Sequence, residues 1–277
     1  MVAALEPIQH DDGAQPWSER WHQDLTSLPA GAWDQLVEQQ SGGTPFLRHA
    51  FLSALAHSAS ACPDTGWHPR FLTLHDADGV MRAACPLYMK THSYGEYVFD
   101  WAWADAYNRA FAQTGQRYFP KLLSAVPFTP VPGPRLLIDG DCDEAEARMW
   151  HGRLLQAISQ QVQRQGWSSA HVLFPPEQDA HHALAQGWLQ RDGVQFHWHN
   201  RDPEPYVDFD DFLAGLQRDK RKKIKQERRK VADAGVSFNV LEGKQITSSD
   251  WDFFYHCYTQ TYLEHGQRPY LTRAFWG

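Results

Sequence analysis

HPRFLTLHDADGVMRAACPLYMK, residues 68 to 90, decides the fold. Residues 68–75 alternate in the manner of a strand, Asp76-Ala77-Asp78-Gly79 supplies turn chemistry, and residues 80–90 return. Period-two runs on either side of a polar turn predict an antiparallel hairpin pairing 68–75 with 80–90. On the N-terminal side, residues 32–40 and 48–58 read as short helices, each preceded by Pro/Gly-containing turn material. On the C-terminal side, residues 94–101 (YGEYVFDW) read as a third strand, 105–114 as a helix, 136–138 as a short strand and 143–165 as a long helix ended by Gly166. A buried-type strand (168–174), a helix (178–186) and a strand (188–199) follow. Helices and strands interleaved in this way predict an α/β (α+β) domain around a mixed sheet, spanning residues 44–200 at least.

Length allows a large core and favours two domains. Turn material at 202–205 (DPEP) marks the expected junction. The expected division is a loose leader at 1–16, a first domain at 17–201, and the start of a second at 202–277. That second part reads as a helix over 209–233, a strand at 236–241, a helix at 249–265 and another from Thr272 onward. A hydrophobic content of 42% indicates a globular chain. No apolar run is long enough to span a bilayer, and the first residues carry no basic, then apolar, signal pattern. Cys62, Cys85, Cys142 and Cys257 are far apart without a C-x-x-C pair, which fits free thiols in a reducing cytoplasm and points away from a zinc site.

The strongest electrostatic feature is RDKRKKIKQERRK, residues 218–230, which holds nine of the chain's 26 basic residues and two of its 33 acidic ones. It carries +7 inside a chain of net charge −7, so the remainder is −14. Phe209, Phe212, Leu213, Leu216, Ile224 and Val231 fall at helical spacing, Asp208, Asp210 and Asp211 suit a helix start, and Gly235 suits its end. These signals predict one helix anchored by that seam, displaying Lys220, Arg221, Lys222, Lys223, Lys225, Arg228 and Arg229 to an anionic ligand such as a phosphate, diphosphate or RNA backbone. Charge runs of this kind are most often solvated helix faces; the interior position and the apolar seam argue for a ligand.

Phosphate loops of the G-x-x-x-x-G-K-[ST] and G-x-G-x-x-G types are absent, as are G-x-S-x-G and H-E-x-x-H. The fifteen histidines read as surface or packed side chains rather than metal ligands. Chemistry concentrates instead in residues 92–135. Glu96, Asp100, Asp105 and Tyr107 are the candidate catalytic groups, since carboxyls against aromatic walls can reach general-base pKa values. Read as a strand, 94–101 would put Glu96, Val98 and Asp100 on one face and Tyr97, Phe99 and Trp101 on the other. Trp101 and Trp103 are candidate substrate contacts that, with Glu96, Asp100, Asp105 and Tyr107, border the main pocket; Lys121 and Ser124, on a Pro-rigidified loop, and Phe128 are further candidate substrate contacts. A purely structural aromatic cluster is the plainer alternative.

SYGEYVFDWAWADAY (93–107), RYFPKLLSAVPFTPVPGPRLL (117–137) and QRDKRKKIKQERRKVADAGV (217–236) resemble the FemAB-like family of bacterial predicted N-acyltransferases. So do the sparser TGWHPRFLTL (65–74) and PLYMKTHSYGEY (86–97). The resemblance covers roughly residues 44–276 and implies the acyl-CoA N-acyltransferase (GNAT) fold used twice in tandem, with the second unit incomplete in this chain. It also implies acyl transfer to an amine of a peptidoglycan precursor or similar metabolite, with acyl-CoA or aminoacyl-tRNA as donor, since the better-known Fem ligases use aminoacyl-tRNA. No metal is expected. The expectation is therefore a cytoplasmic N-acyltransferase, whose partners are a cell-wall precursor and, for an aminoacyl donor, tRNA. The rivals are a non-catalytic module that recognises peptidoglycan precursors and an RNA-binding protein that uses a GNAT scaffold.

Overall fold

A computed structural model describes residues 7–10 and 16–276. The chain forms two compact units, one comprising the first 190 residues together with Trp251 onward, the other Arg191–Asp250.

In the first unit, β1 (Ile8–His10), β2 (Trp17–His22), β4 (Phe71–His75), β5 (Met81–Cys85) and β8 (Leu137–Ile138) form an antiparallel sheet in the order β1-β2-β4-β5-β8. A second sheet has the order β3-β6-β7-β9, from β3 (Trp67–Pro69), β6 (Leu87–Lys90), β7 (Lys121–Ser124) and β9 (Ala170–Val172). Within it only β7 and β9 run parallel. Helices α1 (Ala30–Gln39) and α2 (His49–His57) pack on one apolar cluster around Trp33, Leu52, Trp67 and Phe71. Helix α3 is Trp101–Ala110, and α4 (Glu144–Gln165) packs its Trp150, Leu154 and Ile158 against a second cluster with Leu72, Leu74 and Leu122. Helix α5 (Glu177–Ala185) follows β9, and α8 (Ser248–Glu264) begins the return of the chain to this unit. This is the mixed α/β, GNAT-like architecture expected.

The hairpin that decides the fold is present with one change: each arm is shared between the two sheets. Leu72 faces Cys85 in one sheet and Pro69 faces Tyr88 in the other, so the register runs unbroken through the gap. Pro86 has no N–H to donate, and only Arg70 N to Leu87 O (2.7 Å) bridges the interruption. The long helix is capped as its sequence requires. Asp143 accepts from the Ala145 and Glu146 amides in a capping box, and Gly166 ends the helix at φ 65°.

Several expectations are corrected. Residues 94–101 are not a strand: Gly95, Tyr97 and Phe99 have φ of 80°, 60° and 49°, which breaks any extended run. Part of the expected leader is ordered, since Ile8–His10 pairs with β2 and His10 stacks on Trp17 with ring centroids 4.0 Å apart; the rest of that leader, apart from Pro7 and Pro16, lies outside the described residues. The helix expected from Thr272 onward is a single 3-10 turn, Arg273–Trp276.

The second unit contains α6 (Phe209–Ala214) and α7 (Arg218–Asp233) where one continuous helix was expected. Gly215 closes α6, and Gln217 is extended at ψ 147°, so the chain turns before the basic run. Asp208 caps α6 by accepting from the Asp211 amide. The strands expected at 188–199 and 236–241 do not form. Their alternating Val194, Phe196, Phe238 and Val240 side chains are exposed.

Candidate functional site

The segment between β6 and α3 organises the candidate site. Glu96 and Asp100 turn inward and bury, while Tyr97, Phe99 and Trp101 remain exposed to solvent. The alternation read from the sequence is real, but a loop with left-handed residues produces it rather than a strand. Both carboxylates converge on Lys121 of β7: its Nζ lies 2.8 Å from Glu96 Oε2 and 2.7 Å from Asp100 Oδ2. Lys121 Nζ also donates to Ser93 Oγ (3.2 Å), and Tyr118 Oη donates to Asp100 Oδ2 (2.7 Å). Glu96 Oε1 is buried with no hydrogen-bond partner among the described residues.

Lys90 sits directly across from Lys121 in the β6–β7 pairing. It is fully buried, with its ammonium 3.6 Å from the centroid of the Trp67 ring, and among the described residues its one hydrogen bond is a long donation to Tyr94 O (3.4 Å). Burial lowers its pKa to about 7, against the attraction of Glu96 and helped by the Lys121 charge. Burial pushes the Glu96 carboxyl up, and the Lys121 charge and hydrogen bond only partly offset this. Asp100 moves the other way: burial raises it, but hydrogen bonds from Lys121, Ser93 and Tyr118 outweigh that and hold it below the usual range. Two carboxyls four residues apart are thus driven to opposite protonation behaviour, a pattern typical of sites that handle protons.

Beside this cluster lies a cavity of about 180 Å³ lined by Tyr97, Phe128, Phe254, Tyr258, Tyr262, Tyr270, Leu271 and Trp276. Phe128 stacks on Tyr270 (5.0 Å, 15°), while Tyr97 and Tyr262 stand edge-on to Tyr270 at 6.2 and 5.7 Å. Trp67, which carries Lys90 on its face, meets Phe128 edge-on at 5.5 Å. One loop therefore supplies Glu96 and Asp100 to the ionic cluster and Tyr97 to the cavity wall.

Of the residues singled out from sequence, Glu96, Asp100 and Lys121 come together and Phe128 lines the cavity. The others do not join them. Trp101 and Trp103 are exposed on α3, Asp105 pairs with Arg109 at the surface, and Tyr107 packs on Phe111 and Tyr118. Ser124 is fully buried and accepts from Cys85 Sγ (3.3 Å), which places it in the core rather than at a ligand. Sequence reasoning missed Lys90, Ser93, Tyr118 and most of the cavity. The spacing of Phe254, Tyr258 and Tyr262 by four puts them on one helix face and is the available signal.

In the second unit α7 fully buries no residue: of the expected apolar anchors, Ile224 is half-buried and Val231 is exposed. Polar contacts tie it to α6. Arg221 donates to Ala214 O (3.2 Å), Lys225 pairs with Asp210 (3.0 Å), and Arg228 lies 4.5 Å over the Phe209 ring. Lys223 reaches Glu227 at 3.9 Å. Lys220, Lys222 and Arg229 make no ion pair among the described residues.

Among those residues no three His, Cys, Asp or Glu side chains converge as metal ligands would. No helix among them is long and apolar enough to cross a membrane. No curated protein matches the chain. A family model described as peptidoglycan biosynthesis/recognition matches residues 24–277, nearly the whole chain, and with it the protein belongs to the FemAB-like family.

Proposed function

We propose that the protein is an N-acyltransferase that moves an acyl or aminoacyl group from an activated donor to an amine of a peptidoglycan precursor. The observation that carries this reading is the shared loop. Glu96, with a raised pKa and an unpartnered oxygen, sits one residue before Tyr97 of the cavity wall. An amine arrives as an ammonium and must lose a proton before it can attack. Glu96 suits that acceptor role because its carboxyl is shifted towards neutral pH. The amine nitrogen then attacks the acyl carbonyl carbon. A C–N bond forms, the C–S bond of a thioester or the C–O bond of an aminoacyl ester breaks, and the second proton lost by the nitrogen passes to the departing thiolate or alkoxide. Lys121, bridging Glu96 and Asp100, fixes the Glu96 side chain. In the second unit, Lys220, Lys222 and Arg229 are the cations that would take phosphate groups, which acyl-CoA, aminoacyl-tRNA and nucleotide-linked acceptors all carry.

The reading is tested by incubating the protein with acyl-CoA or aminoacyl-tRNA donors and a nucleotide-linked muramyl peptide, then measuring the acceptor's mass. Transfer is expected, falling by about a hundredfold or more in Glu96→Gln with the fold retained. Binding of the precursor without transfer from either donor class would replace this reading with a recognition module.

A further inference from the structure

The cavity has a composition that neither the family nor the ionic cluster explains. Seven of its eight lining residues are aromatic and none is charged. The Leu271 amide donates to Tyr258 Oη (3.2 Å), and the rings of Tyr258 and Tyr262 meet edge-on at 4.9 Å. With no charged or amide side chain in the lining, a ligand meets mainly ring faces. Burial raises the pKa of all four tyrosines, to about 12 for Tyr258, so they are neutral phenols near pH 7. Stacked and perpendicular rings together form the sides and corner of a box.

Two wall residues are held there at conformational cost. Tyr97 and Phe128 both have φ 60°, a region that side chains other than glycine rarely occupy. Gly95, at φ 80°, is required beside them, because a Cβ there would come within 2.6 Å of the Phe128 ring. Strain at two positions that aim rings into one cavity argues for a built site.

The charge distribution of that box selects its ligand. Aromatic faces carry the negative end of the ring quadrupole, and oxygen lone pairs add to it. An anion is repelled. A saccharide needs several directional polar partners, and this lining offers only tyrosine hydroxyls, that of Tyr258 already accepting from the Leu271 amide. We infer that the aromatic cavity is a cation cage whose ligand is an organic ammonium with a short alkyl arm. This deepens the proposed transferase reading, on which it rests, by assigning the cavity to the amine-bearing end of the acceptor rather than to the acyl donor.

Choline and its neutral isostere 3,3-dimethyl-1-butanol separate charge from shape. Titrated calorimetrically into the protein without any acyl donor, choline is expected to bind about tenfold more tightly than the isostere. Tyr270→Leu abolishes the preference, whereas Tyr270→Phe, which keeps the ring, retains it; circular dichroism and melting confirm that both fold. Equal affinity for the two probes overturns the inference and marks an apolar acyl pocket. Binding of N-acetylglucosamine in place of choline overturns it in favour of a saccharide site, and binding of none of the three overturns it outright. Because no donor is present, failure of acyl transfer leaves this result standing, and equal affinity of the parent protein for the two probes overturns the cage without overturning the transferase reading.

Discussion

Lys90 and Lys121 face each other across β6 and β7, yet only Lys121 holds carboxylates. Lys90 is an ammonium in apolar surroundings, compensated by one ring face and a distant Glu96. Unfolded, it keeps its proton to about pH 10.5; folded, it releases it near 7. Between those values the unfolded chain binds more protons, so stability rises with pH across that window. Below about pH 7 the buried cation imposes its full cost. Lys90→Met, which keeps the linear stem against Trp67, is therefore expected to stabilise the protein most at pH 6, by on the order of 1 kcal/mol or more, with the gain shrinking towards pH 10. Urea midpoints at the two pH values check this; an equal gain at both would remove Lys90 as an uncompensated charge. Lys121 predicts the reverse. Lys121→Met strands two buried carboxylates and is expected to cost on the order of 3–5 kcal/mol, much of it recovered when Glu96→Gln and Asp100→Asn are added. If the triple variant is no more stable than the single one in urea, the cluster is not held by ion pairing.

Local rules worked best where an element is specified by its own residues. Helix α4 carries its cap, its stripe and its terminal glycine within one stretch, and it forms where the sequence places it. Asp143→Ala is expected to cost about 1 kcal/mol by freeing the Ala145 and Glu146 amides, measurable as a shift in the urea midpoint. The basic segment shows where such rules stop. Its apolar seam suggested one helix, but Gly215 and the extended Gln217 divide it, and Arg221, Lys225 and Arg228 are spent on holding α7 to α6. A periodic seam records what could be buried, not whether anything covers it. Lys222 and Arg229 are outside those contacts, so the double variant Lys222→Glu, Arg229→Glu tests ligand binding separately from folding. Polyphosphate binding that falls steeply with salt in the parent should be lost in the variant, with helix content unchanged by circular dichroism. Unchanged affinity would mark α7 as a solvated surface helix.

At the scale of the whole chain, the first unit was legible through its hairpin, whose arms pair with sequence neighbours, and through α4, which carries its own cap and terminal glycine. The cavity was not, because Tyr258, Tyr262, Tyr270 and Trp276 return to the first unit from the far side of residues 191–250, and nothing in local patterning announces that return. The same blindness produced the two strands that did not form. Residues 188–199 and 236–241 alternate as strands do, but a strand exists only with a partner, and partnership is not written in one segment. Instead, Leu189 is 97% and Phe196 99% exposed, with Phe238 at 82%. Large apolar side chains left in water are an association hazard. Amide exchange separates the possibilities. Residues 193–199 and 237–241 should exchange early, as unladdered backbone does, while β4, β5, β7 and α4 stay protected for far longer. Protection of 237–241 equal to that of β4 would mean that this segment is paired in solution. If that protection also rises with protein concentration, the partner strand comes from a second copy of the chain.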